Sequence, residues 1–352
     1  MKIVIDDSPL HNAHASRGIG IYTRNVIRSL QEAAKEKSVE VVSCNLLKQQ
    51  TPPNTDIVIY TYFDLFRHTL HIDSHLKTIV VIHDVTPLIY PRFYPSGVRG
   101  KINFELQKHT LRKVHRVVTV SQTSKKDIVR LLGIPAEKIN VIYNASQSSF
   151  IKLTKTRLDL VRKRFGLPKK YVLYVGDVNW NKNIIRLVKA CILDDLPLVI
   201  VGKQAVSTDY DKNHIETQPL RELQEVYGNN TAIMRLGYLD DEEFAAVWQL
   251  ATVYCQPSIY EGFGIPVVEA FQVGIPVVSS KTQALVEVAG DAAYYVDPYS
   301  EQSIAEGLNI VIENSEIRNK LKKLGNERSQ LFSWNKSSIK LLSVCEKIFN
   351  EG

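Results

Sequence analysis

Twelve short apolar, β-branched runs separated by stretches of helical periodicity constrain this chain more than any other feature. Six lie in the first half: Lys2–Asp6, Val39–Leu46, Asp56–Tyr62, Lys77–Asp84, Arg116–Ser121 and Ile139–Asn144. Six follow: Lys170–Gly176, Pro197–Gly202, Ala232–Gly237, Thr252–Ser258, Ile275–Ser280 and Ala292–Asp297. Most are continuously apolar, as parallel strands covered on both faces must be. Helical patterns intervene. Ser121–Leu132 has a serine at its start and Gly133 beyond its end, and Asp240–Gln249 opens with an acidic turn. Such alternation builds βαβ units and open parallel sheets, an α/β fold.

A length of 352 residues favours two domains over one. The expected division is 1–150 and 151–332, each Rossmann-like, joined across the polar, basic stretch Ala145–Lys170. In the tail, 333–352, Ser333 should cap a helix whose stripe Trp334, Leu341, Cys345 and Ile348 needs a surface to cover. The first domain is the expected surface. Ligands of open α/β sheets bind beyond the carboxyl ends of strands, so two facing domains predict a cleft, with the chemistry just after strands.

Composition narrows the class. Hydrophobic residues make up 44% and charged residues 23%, which excludes disordered and collagenous chains. The longest apolar candidate, Ile265–Val278, contains Glu269 and Gln272 and is too short to span a bilayer. The amino terminus meets Asp6 and Asp7 and reads as a strand rather than a signal peptide. Cys44, Cys191, Cys255 and Cys345 lie far apart without a C-x-x-C, as reduced thiols of a cytoplasmic protein would. The net charge of +7 is uneven: residues 1–150 hold 20 Lys+Arg against 12 Asp+Glu, whereas 151–352 hold 24 against 25. A basic first half suits an anionic ligand or membrane surface, or a mere solubilising excess.

The most informative stretch is Pro257-Ser258-Ile259-Tyr260-Glu261-Gly262-Phe263-Gly264-Ile265-Pro266-Val267-Val268-Glu269-Ala270, which follows a strand. Gly262 and Gly264 permit a tight turn, and Pro266 suits a helix start, so amides around Phe263–Ile265 would face an anion. Glu261 precedes the turn, and Glu269 is expected in the first helical turn. This E-x(7)-E pattern resembles the signature of glycosyltransferase family 4, the retaining nucleotide-sugar enzymes of the GT-B fold. The likeness continues through Gly274-Ile275-Pro276-Val277-Val278, Glu287–Ala293 and Phe332-Ser333-Trp334. The alternative is a pair of acids flanking an ordinary helix start.

The resemblance implies roles for particular residues. Glu261 would lie near the donor sugar, Glu269 would hold the nucleotide ribose, and backbone from Ser258 and Gly262 to Ile265 would serve sugar and phosphates. The segment Val172–Asn183 resembles the family's donor-diphosphate segment, in which Lys182 would neutralise the departing diphosphate. Asn181 stands where many relatives carry arginine, and Asp177 brings no positive charge, so this clamp is weaker or is completed from elsewhere. Ser16-Arg17-Gly18-Ile19-Gly20 corresponds to a glycine turn with Arg17 replacing the first glycine and Gly18 retained, placing backbone near the donor phosphate. His83, in His83-Asp84-Val85-Thr86-Pro87, would meet the transferred sugar, and Tyr238-Leu239 would form the base-binding turn.

The resemblance thus implies a retaining hexosyltransferase of bacterial glycan or polysaccharide synthesis, moving a sugar from a nucleotide diphosphate sugar to an acceptor hydroxyl. The H-D-x-x-P and G-I-G-x-Y pattern resembles polysaccharide mannosyltransferases and suggests GDP-mannose. Two alternatives are a nucleotide-sugar-binding module without turnover and a GT-B nucleotide-sugar epimerase. No cofactor beyond the co-substrate and no metal is expected: Asp209-Tyr210-Asp211 falls in a polar loop well past its strand, and His68, His71 and His75 lack a completing ligand. Expected partners are the donor and a glycan or lipid-linked acceptor, not nucleic acid. The basic run over Gly97–Arg116 reads either as a solvated helix face or as peripheral contact with the inner face of an anionic membrane.

Overall fold

In the computed structural model, residues 1–12, 14–15, 18–146 and 150–351 are described. Ser16, Arg17 and residues 147–149 of the basic connecting stretch lie outside the described residues, as do Ala13 and Gly352. All twelve runs form strands: β1 Lys2–Asp6, β2 Glu40–Cys44, β3 Ile57–Tyr60, β4 Lys77–Val81, β5 Arg116–Thr119, β6 Ile139–Val141, β7 Val172–Val175, β8 Leu198–Val201, β9 Ile233–Leu236, β10 Val253–Gln256, β11 Val277–Ser280 and β12 Ala293–Val296. All but β1 are shorter than their apolar runs, and β4 and β10 stop short at the carboxyl end, where the chain turns off the sheet. His83 and Ser258 therefore stand in loops just beyond β4 and β10.

Two compact units result: Met1–Gln147 with Phe332–Gly352, and Ser148–Leu331. Each contains one six-stranded parallel sheet, ordered β2-β1-β3-β4-β5-β6 in the first unit and β12-β11-β10-β7-β8-β9 in the second. The second order is that of a doubly wound dinucleotide-binding sheet, with its switch point between β7 and β10. There Val172 pairs with Val253 and Leu173 with Tyr254. Loops leaving these neighbouring strands emerge side by side although 79 residues separate Lys182 from Glu261.

The first unit's strands bury both faces. Val4, Val58 and Val80 join one core cluster, while Ile3, Ile5, Ile57, Ile59, Ile79 and Val81 join another. The last helix, Trp334–Asn350, belongs to that second cluster through Leu341, Leu342, Cys345 and Ile348, packed with Tyr22, Val26 and Leu30 of the helix Gly18–Ala34. Ser333 caps it by accepting from the Lys336 amide. Its far end is held electrostatically. Lys77 Nζ donates to the carbonyls of Ile348 and Phe349 at 2.5 and 3.1 Å, where a cation offsets the negative helix end. Arg116 Nη2 meets both carboxylate oxygens of Glu351 at 2.8 and 2.6 Å.

This helix packs on the first sheet beside the helix Gly18–Ala34. Leu341→Ala should lower unfolding free energy by about 2–5 kcal/mol, the range for a truncated core leucine. Chemical denaturation measures it, and a loss below about 1 kcal/mol would contradict the packing assigned to the tail.

Candidate active site

The second unit's switch point assembles a partly buried ion pair. Glu261, 8% exposed, follows β10; Lys182 ends a short 3₁₀ turn, Trp180–Lys182, after β7. Lys182 Nζ donates to both Glu261 oxygens at 2.8 Å. Glu261 Oε1 also accepts from Ser258 Oγ at 2.7 Å and from Gln256 Nε2 at 3.0 Å. Gln256 is oriented in turn, because its Oε1 accepts from the Tyr254 hydroxyl and its amide donates to Ser258 Oγ at 2.7 Å. Burial holds the Tyr254 hydroxyl far above the usual tyrosine range, so it stays a donor. All four of these contacts reach Glu261 from donors, as a carboxylate acceptor requires.

Two asparagines staple the loops. Asn181 Nδ2 donates to the Tyr260 carbonyl at 2.9 Å, and the Ile259 amide donates to the Asn181 carbonyl at 2.8 Å. Asn183 takes a left-handed conformation, φ 58°, ahead of the helix Ile184–Leu193. Its amide donates to the carbonyls of Pro257 at 2.9 Å and Pro298 at 2.7 Å. Asparagine tolerates that backbone region better than larger side chains do. Sequence reasoning missed Asn183 and Gln256; an asparagine directly ahead of a helix was the available signal.

Beyond Glu261 the chain turns into the helix Ile265–Val273, with Pro266 in its first turn. Gly264 stands at φ 98°, where an added Cβ would come within 2.6 Å of Leu285 Cδ2. Glycine is obligatory there on both counts. Glu269 is the fifth residue of this helix rather than part of its first turn, and it is 2% exposed. Phe263 is buried and Ile265 half-buried beside the helix start. After β9, Leu239 is buried while Tyr238 is 74% exposed, with Lys203 Nζ 5.0 Å above its ring.

In the first unit, His83 follows β4. Its Nε2 lies 3.1 Å from the Thr61 carbonyl, an acceptor, so Nε2 carries the proton and Nδ1 is the ring's acceptor. Thr61 is a junction, since its hydroxyl also donates to the Asp6 carbonyl at 3.0 Å and lies 3.0 Å from Thr23 Oγ1. The Tyr22 ring stands edge-on to His83, centroids 4.5 Å apart, and Trp334 lies 5.7 Å beyond Tyr22. Gly18 opens its helix with open space where a Cβ would be. It is Gly20 that must be glycine, because a Cβ there would stand 2.4 Å from the His14 carbonyl.

Among the described residues, no group of three or more His, Cys, Asp or Glu could hold a metal ion. Asp209 and Asp211 are engaged in local turn bonds with Ser207 and Asn213. All four cysteines are buried and none forms a disulfide.

Burial lowers the pKa of His83, partly offset by its bond to Thr61 and by Asp84. The unfolded chain then takes up a proton near pH 6.5 before the folded one does, so the stability due to neutral His83 is full above that value and lost as pH falls. His83→Gln should flatten the acid side of a stability–pH profile. An unchanged slope would contradict a neutral, half-buried imidazole.

Comparison with known proteins agrees with this architecture. Residues 159–328 match the family described as "Glycosyl transferases group 1", and residues 44–146 match "Glycosyltransferase Family 4". The chain is 27% identical over 275 residues to O-antigen chain mannosyltransferase B of Escherichia coli, covering 76% of this chain and 70% of that protein. It is 25% identical over 261 residues to the E. coli serotype-specific mannosyltransferase WbdA, of which it spans only 32%. Sucrose-phosphate synthase from Thermosynechococcus elongatus superposes with a TM-score of 0.73 at 17% identity, over 100% of both chains. HepE of Anabaena, solved with UDP and glucose, gives a TM-score of 0.70 at 16% identity, over 98% of this chain and 99% of that one.

Proposed function

Because this chain belongs to glycosyltransferase family 4 and has the GT-B fold, we propose that it transfers mannose from GDP-mannose to a hydroxyl of a bacterial glycan, retaining the anomeric configuration. The observation that carries the reading is the Glu261–Lys182 pair at the switch point, its carboxylate buried and its ammonium half-buried, directly ahead of a helix start. The mannosyltransferases to which the chain is similar support the sugar.

In this reading the second unit binds the donor. Amides around Phe263–Ile265 and the Lys182 ammonium take the diphosphate, Glu269 takes the ribose hydroxyls, and the Tyr238–Leu239 turn takes the base. Lys182 then stands between two anions. As the bond from the anomeric carbon to the phosphate oxygen breaks, positive charge grows on the sugar beside Glu261 and negative charge on the phosphate beside Lys182. The pair opposes both charges from fixed positions, with no reorganisation at the moment of reaction. The acceptor oxygen bonds to the anomeric carbon on the same face, and its proton passes to the departing phosphate oxygen. His83 accepts a sugar hydroxyl bond through Nδ1. Lys182 supplies the charge a metal would otherwise bring, so transfer should survive a chelator. Loss on chelation with rescue by manganese would contradict the clamp.

The two glutamates are separable. Glu269→Gln should mostly weaken donor binding, because its partner does not react. Glu261→Gln keeps shape but removes charge, so turnover should fall on the order of a hundredfold while affinity changes less. Steady-state kinetics with calorimetry of the nucleoside diphosphate decides, and reversed effects would reverse the roles. A thermal-shift screen of nucleotide sugars tests the donor, since a ligand at about 100 times its Kd adds about 2.7 kcal/mol. Product analysis without acceptor separates transfer from epimerisation.

A further inference from the structure

The helix Gly97–Leu111 faces the wrong way for a surface helix. Its inward side is Gly100, Gln107 and Leu111, with Gln107 fully buried. Gln107 Oε1 accepts from the Thr69 amide at 3.0 Å, and its amide donates to the Asp64 carbonyl. Asn103 Nδ2 donates to the Phe66 carbonyl at 3.0 Å. A Cβ on Gly100 would come within 3.3 Å of Phe66 Cβ, so the helix is seated closely. These polar anchors hold it together with Leu111 and Phe104, which pack on the core, while three other aliphatic side chains point out. Val98 is 77% exposed, Ile102 58% and Leu106 57%.

Spaced by four, these three form one stripe along the outer face. Arg99 and Lys101 are exposed within the helix, and Arg112 and Lys113 continue it past its end. Glu105 is the helix's one acid. An aliphatic stripe framed by cations is what lies flat in the headgroup layer of an anionic bilayer, with the stripe among acyl chains and the cations at phosphates. Three side chains are too few for a stable protein interface of about 800 Å² per side. Among the described residues no helix is long and apolar enough to cross a membrane. We propose that the outer face of Gly97–Leu111 docks the protein on an anionic membrane surface, with Val98, Ile102 and Leu106 inserted and Arg99, Lys101, Arg112 and Lys113 on headgroups. This inference is independent of the donor sugar.

Flotation of the full chain with phosphatidylcholine vesicles, with and without phosphatidylglycerol, tests it. The protein should float with the anionic vesicles only and release as salt rises. Lys101→Ala and Arg112→Ala should each weaken binding about fivefold. The double variant Ile102→Asn with Leu106→Asn leaves the charge unchanged and should weaken it more than about tenfold. These residues are exposed, so circular dichroism and the melting temperature should not move. No flotation, equal flotation with neutral vesicles, or flotation untouched by the aliphatic substitutions would each overturn the proposal. So would a concentration-dependent dimer abolished by the double asparagine variant, which would make the stripe an interface between copies.

Discussion

The bond between Lys182 and Glu261 organises the second unit's site. A carboxylate buried to 8% exposure is costly to desolvate unless a cation and several donors meet it, and here Lys182, Ser258 and Gln256 all do. The parallel sheet makes that possible. Because β7 and β10 are hydrogen-bonded neighbours at the point where the strand order reverses, their carboxyl-end loops share one location. Asn181 and Asn183 then lock those loops to each other through the carbonyls of Tyr260 and Pro257. The ion pair therefore rests on backbone geometry, and its position does not depend on two long side chains finding each other.

The first unit follows the same plan with neutral groups. Thr61, just past β3, gathers Asp6, Thr23 and His83 at the carboxyl ends of β1, β3 and β4. Tyr22 meets His83 edge-on and Trp334 meets Tyr22 the same way, which connects the imidazole to the chain's last helix. The tail accordingly completes a core and backs a site residue together. The proposed reaction divides its roles to match: a neutral imidazole for a hydroxyl, and a charged pair for a bond that breaks into ions.

Much of this was legible in the sequence. All twelve strands could be read because both sheets are covered on both faces, which makes their strands continuously apolar. The caps at Ser121, Asp240 and Ser333 were also readable, since each depends on local geometry. What was not legible depends on contacts distant in sequence. Nothing near Asn181 announces Tyr260 as its partner, and nothing in Gln256 announces a role in orienting Glu261. Glu269 falls just past the first turn because the helix begins at Ile265, one residue ahead of Pro266. The basic run after Gly97 was visible, but not which way its helix faces. Gln107's inward bonds decide that, and they involve a loop 38 residues earlier.

The central claim is that Lys182 and Glu261 act as one unit in transfer. A double-mutant cycle of Lys182→Met and Glu261→Gln, read as the rate of sugar transfer at saturating donor, tests it most directly. Residues that act as a unit are strongly non-additive, so the double variant should be about as slow as the slower single variant. If each single loss were about a hundredfold and the double loss were their product, about ten-thousandfold, the two side chains would act independently and the account would be wrong.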